Sequence, residues 1–310
     1  MKKLPFLLQF SIVLFISSIT FNVFAQDSGY TTSKDVSIHY RVYGNGYPIA
    51  LLSGGPGVSS SALMPIVEEL KDSFQVILID QRGTGKSLLK EVNEQTITLD
   101  NYVEDINNVR LALGIDEWIV LGHSWGGGLA MAVTAKYPGN ISGLIVIGSL
   151  GIDLHYTKYL ADNLRYDQED LDNINFWQDS IIKAKNPERA AYETYRSLLP
   201  SRLYNKADMR KIMMNFKYEP QGALVAPIMY GHLSKINYDL KPALKIYQKP
   251  TLIIQGRQGF LGGETALRIH RTIPNSQIAY IERCGHFPFI EQPDAFFKTL
   301  KTFLKKWKDD

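Results

Sequence analysis

The chain has 310 residues, 45% of them apolar, and a formal net charge of +3. That is ample apolar material for a large core, and the single cysteine, Cys284, excludes an internal disulfide as a source of stability. A charge so near neutrality gives no electrostatic argument for nucleic acid or an anionic membrane as partner.

Residues 1–25 open with Lys2 and Lys3, run through apolar sequence from Leu4 to Ile19, and close on Val23-Phe24-Ala25. This pattern predicts a secretory signal peptide, and with it a periplasmic or secreted mature protein. Gln9, Ser11, Ser17 and Ser18 interrupt the apolar run and no basic stop-transfer flank follows, so no stable membrane span is expected in the mature chain. Without Lys2 and Lys3 the formal charge falls from +3 to +1, because no acidic residue precedes Gln26. The mature chain of about 285 residues reads as one α/β domain carrying an insertion. Its parts are a first core segment 26–151, a helical cap 152–241 and a second core segment 242–310.

Val36 to Tyr43 alternates like a half-exposed edge strand, with Gly44-Asn45-Gly46 as the turn after it. Pro48-Ile-Ala-Leu-Leu52 is short and apolar throughout, which predicts a strand covered on both faces and hence a parallel sheet. It runs into Ser53-Gly54-Gly55-Pro56-Gly57, a loop so bare of side chains that a substrate carbonyl can approach its N–H groups. Phe74 to Asp80 is the next buried strand. The following Gly85-Lys86-Ser87 suggests a phosphate loop but fails on spacing, since that motif needs glycine where Asp80 stands. Leu99 to Leu113 has the apolar spacing of an amphipathic helix lying on a sheet.

Trp118-Ile-Val-Leu121 leads directly into Gly122-His123-Ser124-Trp125-Gly126 and then a run of small residues. Gly-x-Ser-x-Gly between a strand and a helix is the signature of a tight turn that lifts a serine hydroxyl clear of the sheet. Ser124 is therefore the candidate nucleophile, with the N–H groups of Gly55 and Trp125 as candidate oxyanion donors. Leu144 to Ile147 is a further apolar strand. From about Ile152 to Lys241 the strand rhythm stops, and Tyr156, Tyr159, Tyr166, Trp177, Tyr192 and Tyr195 sit among helix formers; this reads as a lid over the strand ends.

The rhythm returns with Thr251 to Gln255, a helix from Glu264 to Ile273 and a strand from Gln277 to Glu282. Gly285-His286-Phe287-Pro288 follows at once, ahead of an amphipathic closing helix from Asp294 to Trp307. A histidine in a glycine-flanked loop past a strand end can reach across to Ser124 and take its proton. The six histidines are otherwise scattered and form no metal-binding pattern, so neither metal nor cofactor is expected.

With Ser53-Gly-Gly-Pro-Gly57, Asp80-Gln-Arg-Gly-Thr-Gly-Lys-Ser87, Gly122-His-Ser-Trp-Gly-Gly127 and Cys284-Gly-His-Phe-Pro288 in hand, the chain resembles an α/β-hydrolase. Within that superfamily it is similar to the proline iminopeptidase group, over nearly all of the mature chain. The resemblance implies a doubly wound, mostly parallel sheet with a helical cap insertion. It also implies a serine hydrolase that cleaves an amide or ester bond of a small molecule or short peptide through an acyl-enzyme. An N-terminal proline peptide is the implied substrate, and a cap carboxylate such as Glu193 or Glu219 would bind its free amine. Epoxide and haloalkane hydrolases of the same fold need a carboxylate where Ser124 stands.

Two positions depart from the group. Ser53 stands where the oxyanion loop usually opens with histidine. After the strand ending at Gln255, Gly256-Arg257-Gln258-Gly259 puts Gly259 where the triad acid is expected. Asp153 and Glu264 are the candidates to supply that carboxylate instead. The alternatives are a carboxylesterase of the same fold or, because Gly259 occupies the expected acid position, a binding protein that keeps the pocket and has lost turnover.

Overall fold

The structure is a computed structural model that describes residues 27–308. The expected signal segment, residues 1–25, lies outside the described residues.

Eight strands form one sheet in the order β1-β2-β4-β3-β5-β6-β7-β8. They are β1 (Asp27–Ser33), β2 (Val36–Tyr43), β3 (Pro48–Leu52), β4 (Gln75–Ile79), β5 (Trp118–His123), β6 (Ile141–Ile147), β7 (Thr251–Gly256) and β8 (Ser276–Ile281). From β4 onward every neighbour is parallel, while β1 and β2 run antiparallel at one edge. This is the doubly wound, mostly parallel α/β arrangement that the apolar strands implied. One expectation changes. The edge strand is β1, not Val36–Tyr43: β2 is paired on both sides, to β1 and to β4. Asp27–Ser33 carries mostly polar residues, so its extended form comes from pairing with β2 rather than from an apolar face of its own.

Alternation along the strands divides the core. Ala50, Leu52, Val120 and Val146 point to one face, and Ile49, Leu51, Ile119 and Ile145 to the other. Helices cover both faces: α1 (Met64–Leu70), α2 (Leu99–Ala112) and α3 (Trp125–Lys136) belong to the first half of the chain. Between β6 and β7 come α4 (Thr157–Asn163), α5 (Gln168–Gln178), α6 (Ser180–Lys185), α7 (Pro187–Leu198), α8 (Met209–Met213), α9 (Gly222–Lys235) and α10 (Lys241–Leu244). Then α11 (Gly263–Thr272), α12 (Pro288–Glu291) and α13 (Pro293–Leu304) complete the fold. Among the described residues no helix is long and apolar enough to cross a membrane.

The loops that follow β3, β5, β6 and β7 all leave the sheet at its C-terminal edge, because these strands are parallel. A cleft at that edge is the expected place for a ligand in such a sheet.

Candidate active site

Ser124 sits between β5 and α3 with φ 57° and ψ −121°, a conformation that non-glycine residues adopt only under constraint. The constraint is visible. The Ser124 N–H donates to the Ile147 carbonyl at 2.9 Å, and the Ser124 carbonyl accepts from Leu150 N–H at 2.9 Å and Gly127 N–H at 3.0 Å. The flanking glycines are required by contact: a β-carbon on Gly122 would lie 2.0 Å from the Gly126 carbonyl oxygen, and one on Gly126 would lie 2.1 Å from that of Leu52. The serine thus caps the N-terminus of α3, where N–H groups and the helix dipole favour negative charge.

The loop after β3 lies against the serine, so closely that a β-carbon on Gly54 would come within 3.1 Å of Ser124 Cβ. It is held by a buried polar chain. Trp125 Nε1–H donates to Gln81 Oε1 at 2.9 Å, Gln81 Nε2–H donates to the Ser53 carbonyl at 2.8 Å, and the Ser53 hydroxyl donates to the Val58 carbonyl at 3.0 Å. Ser53 therefore serves as a loop anchor, and the elbow and the Gly55 loop are tied together through Gln81. Gln81 was visible in the sequence only as part of the Asp80-Gln-Arg-Gly stretch. Within that stretch Asp80 accepts from Ser60 and the Lys86 N–H and contacts His39, while Arg82 forms a buried two-pronged pair with Asp105 at 2.6 and 2.7 Å. Those contacts order the loop.

His286 and Ser124 both line one pocket of about 810 Å³. Its main chain is clamped: Glu291 accepts from the N–H groups of Gly285 and Phe287, each at 2.9 Å, and from Tyr204 N–H at 2.8 Å. The His286 N–H donates to the Arg202 carbonyl at 2.9 Å, and its own carbonyl is bonded to His123 Nε2 at 2.9 Å. A carbonyl only accepts, so His123 carries its proton on Nε2. The ring packs between His123 at 4.7 Å and Phe260 at 4.5 Å. Burial holds His286 well below the usual imidazole value, with the His123 ring and the Arg202 guanidinium adding to the effect. Burial also lowers His123, to about 4.

The acid is where sequence and structure part. His286 Nδ1 is buried and has no hydrogen-bond partner. Asp153, expected as a substitute, is engaged elsewhere: its carboxylate pairs with Lys241 and Arg268 and caps the turn at His155 N–H, 3.1 Å away. Burial alone would raise it, but the bonds from Arg268 and Lys241 outweigh that and bring Asp153 down to about 2. It is a tie between the loop after β6 and α11, not the orienting acid. Glu264 pairs with Arg271 at 3.0 Å on the surface of the same helix. Gly259 occupies the expected place beside the histidine loop, where a β-carbon would lie 3.3 Å from the Gly285 carbonyl oxygen.

Of the two cap carboxylates, Glu219 lines the pocket and accepts from Gly85 N–H at 2.7 Å, and burial raises its pKa. Glu193 is paired with Arg196 at 2.8 Å. Tyr230, whose hydroxyl donates to the Gly55 carbonyl at 2.7 Å, Glu291 and Arg202 carry no local sequence signal, because each acts on a segment distant along the chain.

Residues 47–293 match the family described as alpha/beta hydrolase fold. Among curated relatives, the proline iminopeptidase of Saccharolobus solfataricus is 27% identical, over 90% of this chain and 92% of its own. That of Heyndrickxia coagulans is 29% identical, over 84% and 91%. Among solved structures, a serine hydrolase from Cycloclasticus zankles superposes with a TM-score of 0.71 at 18% identity, covering 92% of this chain and all (100%) of that one. A thermophilic esterase from Thermogutta terrifontis gives 0.68 at 24% identity, covering 92% and 99%. Likeness at these levels of identity bears on the fold.

Proposed function

The chain belongs to the α/β hydrolase fold family, and from that premise we propose that it is an exported serine hydrolase of proline iminopeptidase type. The observation that carries the proposal is the strained Ser124, which lines one pocket together with His286. His286 takes the Ser124 proton as the oxygen attacks the carbonyl carbon. The N–H groups of Gly55 and Trp125 hold the oxyanion, and the expelled amine receives the proton from His286. Water then releases the acyl group with the same residues in reverse. Asp153 has no part in these steps. Ser124 and His286 act as a pair, and imidazolium forms without a facing carboxylate, so turnover is slow for this fold. Glu219, as the pocket carboxylate, binds the free amine of the substrate. The helices of 152–241 close the pocket as a cap, and residues 1–25 direct export.

The test compares a peptide with N-terminal proline, its N-acetylated form and a short acyl ester. The proposal expects the free-amine peptide to be cleaved and acetylation to abolish cleavage. Cleavage of the ester alone would leave a carboxylesterase of the same fold. A binding protein without turnover is the second reading, favoured by the unpartnered His286 Nδ1; it expects ligand binding with none of the three substrates cleaved.

A further inference from the structure

Arg202 ends the short turn Pro200–Arg202 that follows α7. Its carbonyl holds the His286 N–H at 2.9 Å, and two residues on, Tyr204 N–H is held at 2.8 Å by the same Glu291 carboxylate that clamps the histidine loop. The guanidinium lies 5.5 Å over the Phe260 ring, and Phe260 packs on His286. Arg202 is thus fixed to the histidine side of the pocket and lines its wall.

Its donors are idle. Among the described residues Arg202 forms no ion pair and no side-chain hydrogen bond, and its Nε is closed off from solvent with no acceptor. With Nε closed off, the half-buried guanidinium keeps the four N–H groups of its two terminal nitrogens, which can pair with the two oxygens of a carboxylate. Lys183 and Lys217 also line the wall, but both are exposed. Arg202 is the cation tied to the catalytic loop.

Position selects the ligand. His286 delivers its proton to the leaving group, so the leaving group occupies the side of the pocket on which Arg202 stands. Glu219 is anchored to different segments, bonded to Gly85 and beside the Gly57 loop, where a β-carbon on Gly222 would lie 2.9 Å from the Glu219 Cβ and 2.2 Å from the Gly57 carbonyl oxygen. In a one-residue leaving group a single carbon separates the scissile nitrogen from the carboxyl carbon, which keeps the carboxylate within about 4 Å of the atom that His286 protonates.

We propose that Arg202 binds the α-carboxylate of the leaving group, so that the enzyme selects dipeptides, or esters of 2-hydroxy acids, over longer and amidated substrates. The dipeptide half of this rests on the iminopeptidase reading; the carboxylate half does not. The experiment measures kcat/KM for prolyl-alanine against prolyl-alaninamide, and for O-acetyl-lactate against O-acetyl-lactamide, in the native protein and in Arg202→Gln and Arg202→Lys. The free acid is expected to be favoured about tenfold or more in the native protein, as for a charge-assisted pair. The preference should fall to within about twofold in Arg202→Gln, with Arg202→Lys between the two. Inert proline substrates with the preference intact in the lactate series would end the iminopeptidase reading and leave Arg202 as assigned. Equal rates for acid and amide in both series, or a preference that survives Arg202→Gln, would overturn the assignment. Calorimetry on the native protein gives the same reading without a variant or turnover: propionate should bind at least about tenfold more tightly than propionamide, and equal binding would overturn the proposal.

Discussion

The side chain of Gln255 fills the space that a side chain at Gly259 would enter: a β-carbon on Gly259 would lie 2.4 Å from Gln255 Nε2. Gln255 is buried, and its Nε2–H donates to the Gly256 carbonyl at 3.1 Å, so the amide turns back on its own strand and leaves His286 Nδ1 unsatisfied. The glycine at 259 and the Gln255 amide packed against it are one feature of the loop after β7.

Restoring the acid therefore takes two changes. Gly259→Asp with Gln255→Ala is expected to raise ester turnover by roughly 10²- to 10⁴-fold, the range set by what a triad acid contributes. Gly259→Asp alone should gain less, because the new side chain must displace the Gln255 amide, and Gln255→Ala alone should gain nothing. Steady-state ester hydrolysis across the three variants checks this.

The same loop governs the pH profile. His286 lies well below 6.5 in the folded protein, so it remains a neutral base as pH falls, and the acid limb of kcat/KM should lie below pH 6.5. A carboxylate facing Nδ1 favours imidazolium, so the limb should move upward in the Gly259→Asp, Gln255→Ala variant. Stability has its own sign. His123 and His286 stay neutral when folded and take up protons when unfolded, so stability should decline as pH drops below about 6.5, continuing for His123 to about 4. Denaturant melts at pH 7, 6 and 5 measure that slope.

Asp153 is a structural tie. Asp153→Asn removes a charged acceptor for Lys241 and Arg268 and should cost about 1–3 kcal/mol of stability. Reactivity at Ser124 should stay within about twofold of native, since RT ln 2 is small against any catalytic role. With Asp153 at about 2 when folded and near 3.9 unfolded, its contribution is present above pH 4 and lost as pH falls toward 2. Thermal melts and labelling rates on one preparation separate the two effects.

Gln81 links the elbow to the oxyanion loop. Gln81→Leu breaks the chain from Trp125 Nε1 through Ser53 and leaves two buried groups unpaired. It is expected to lower kcat by about 10- to 100-fold, below the 10²–10³ lost when an oxyanion donor is removed outright. KM should change less than kcat, because the loop holds charge that develops only in the transition state.

Much of this was readable in the chain because the signals were local. β3, β4, β5 and β7 are continuous apolar runs, and the elbow glycines are demanded by contacts within a few residues or with the neighbouring strand. Gly259 was readable as a departure because the resemblance to the proline iminopeptidase group implies an acid at that position. What escaped depended on pairing across distance. β1 is held by β2 and not by its own pattern, Asp153 is drawn off by Arg268 more than a hundred residues away, and Glu291 reaches back to Tyr204. No periodicity marked Arg202 as a pocket residue, because it ends the three-residue turn Pro200–Arg202 outside the amphipathic helix that precedes it.

On this reading Ser124 is a nucleophile activated by His286 alone. The most direct measurement is the rate at which a fluorophosphonate forms a covalent adduct, located by mass spectrometry, in the native protein, Ser124→Ala and His286→Ala. A slow single adduct on Ser124 is expected, with none in Ser124→Ala and a further fall of at least about 10²-fold in His286→Ala. An absent adduct on Ser124 in the native protein, or labelling indifferent to His286, would contradict it.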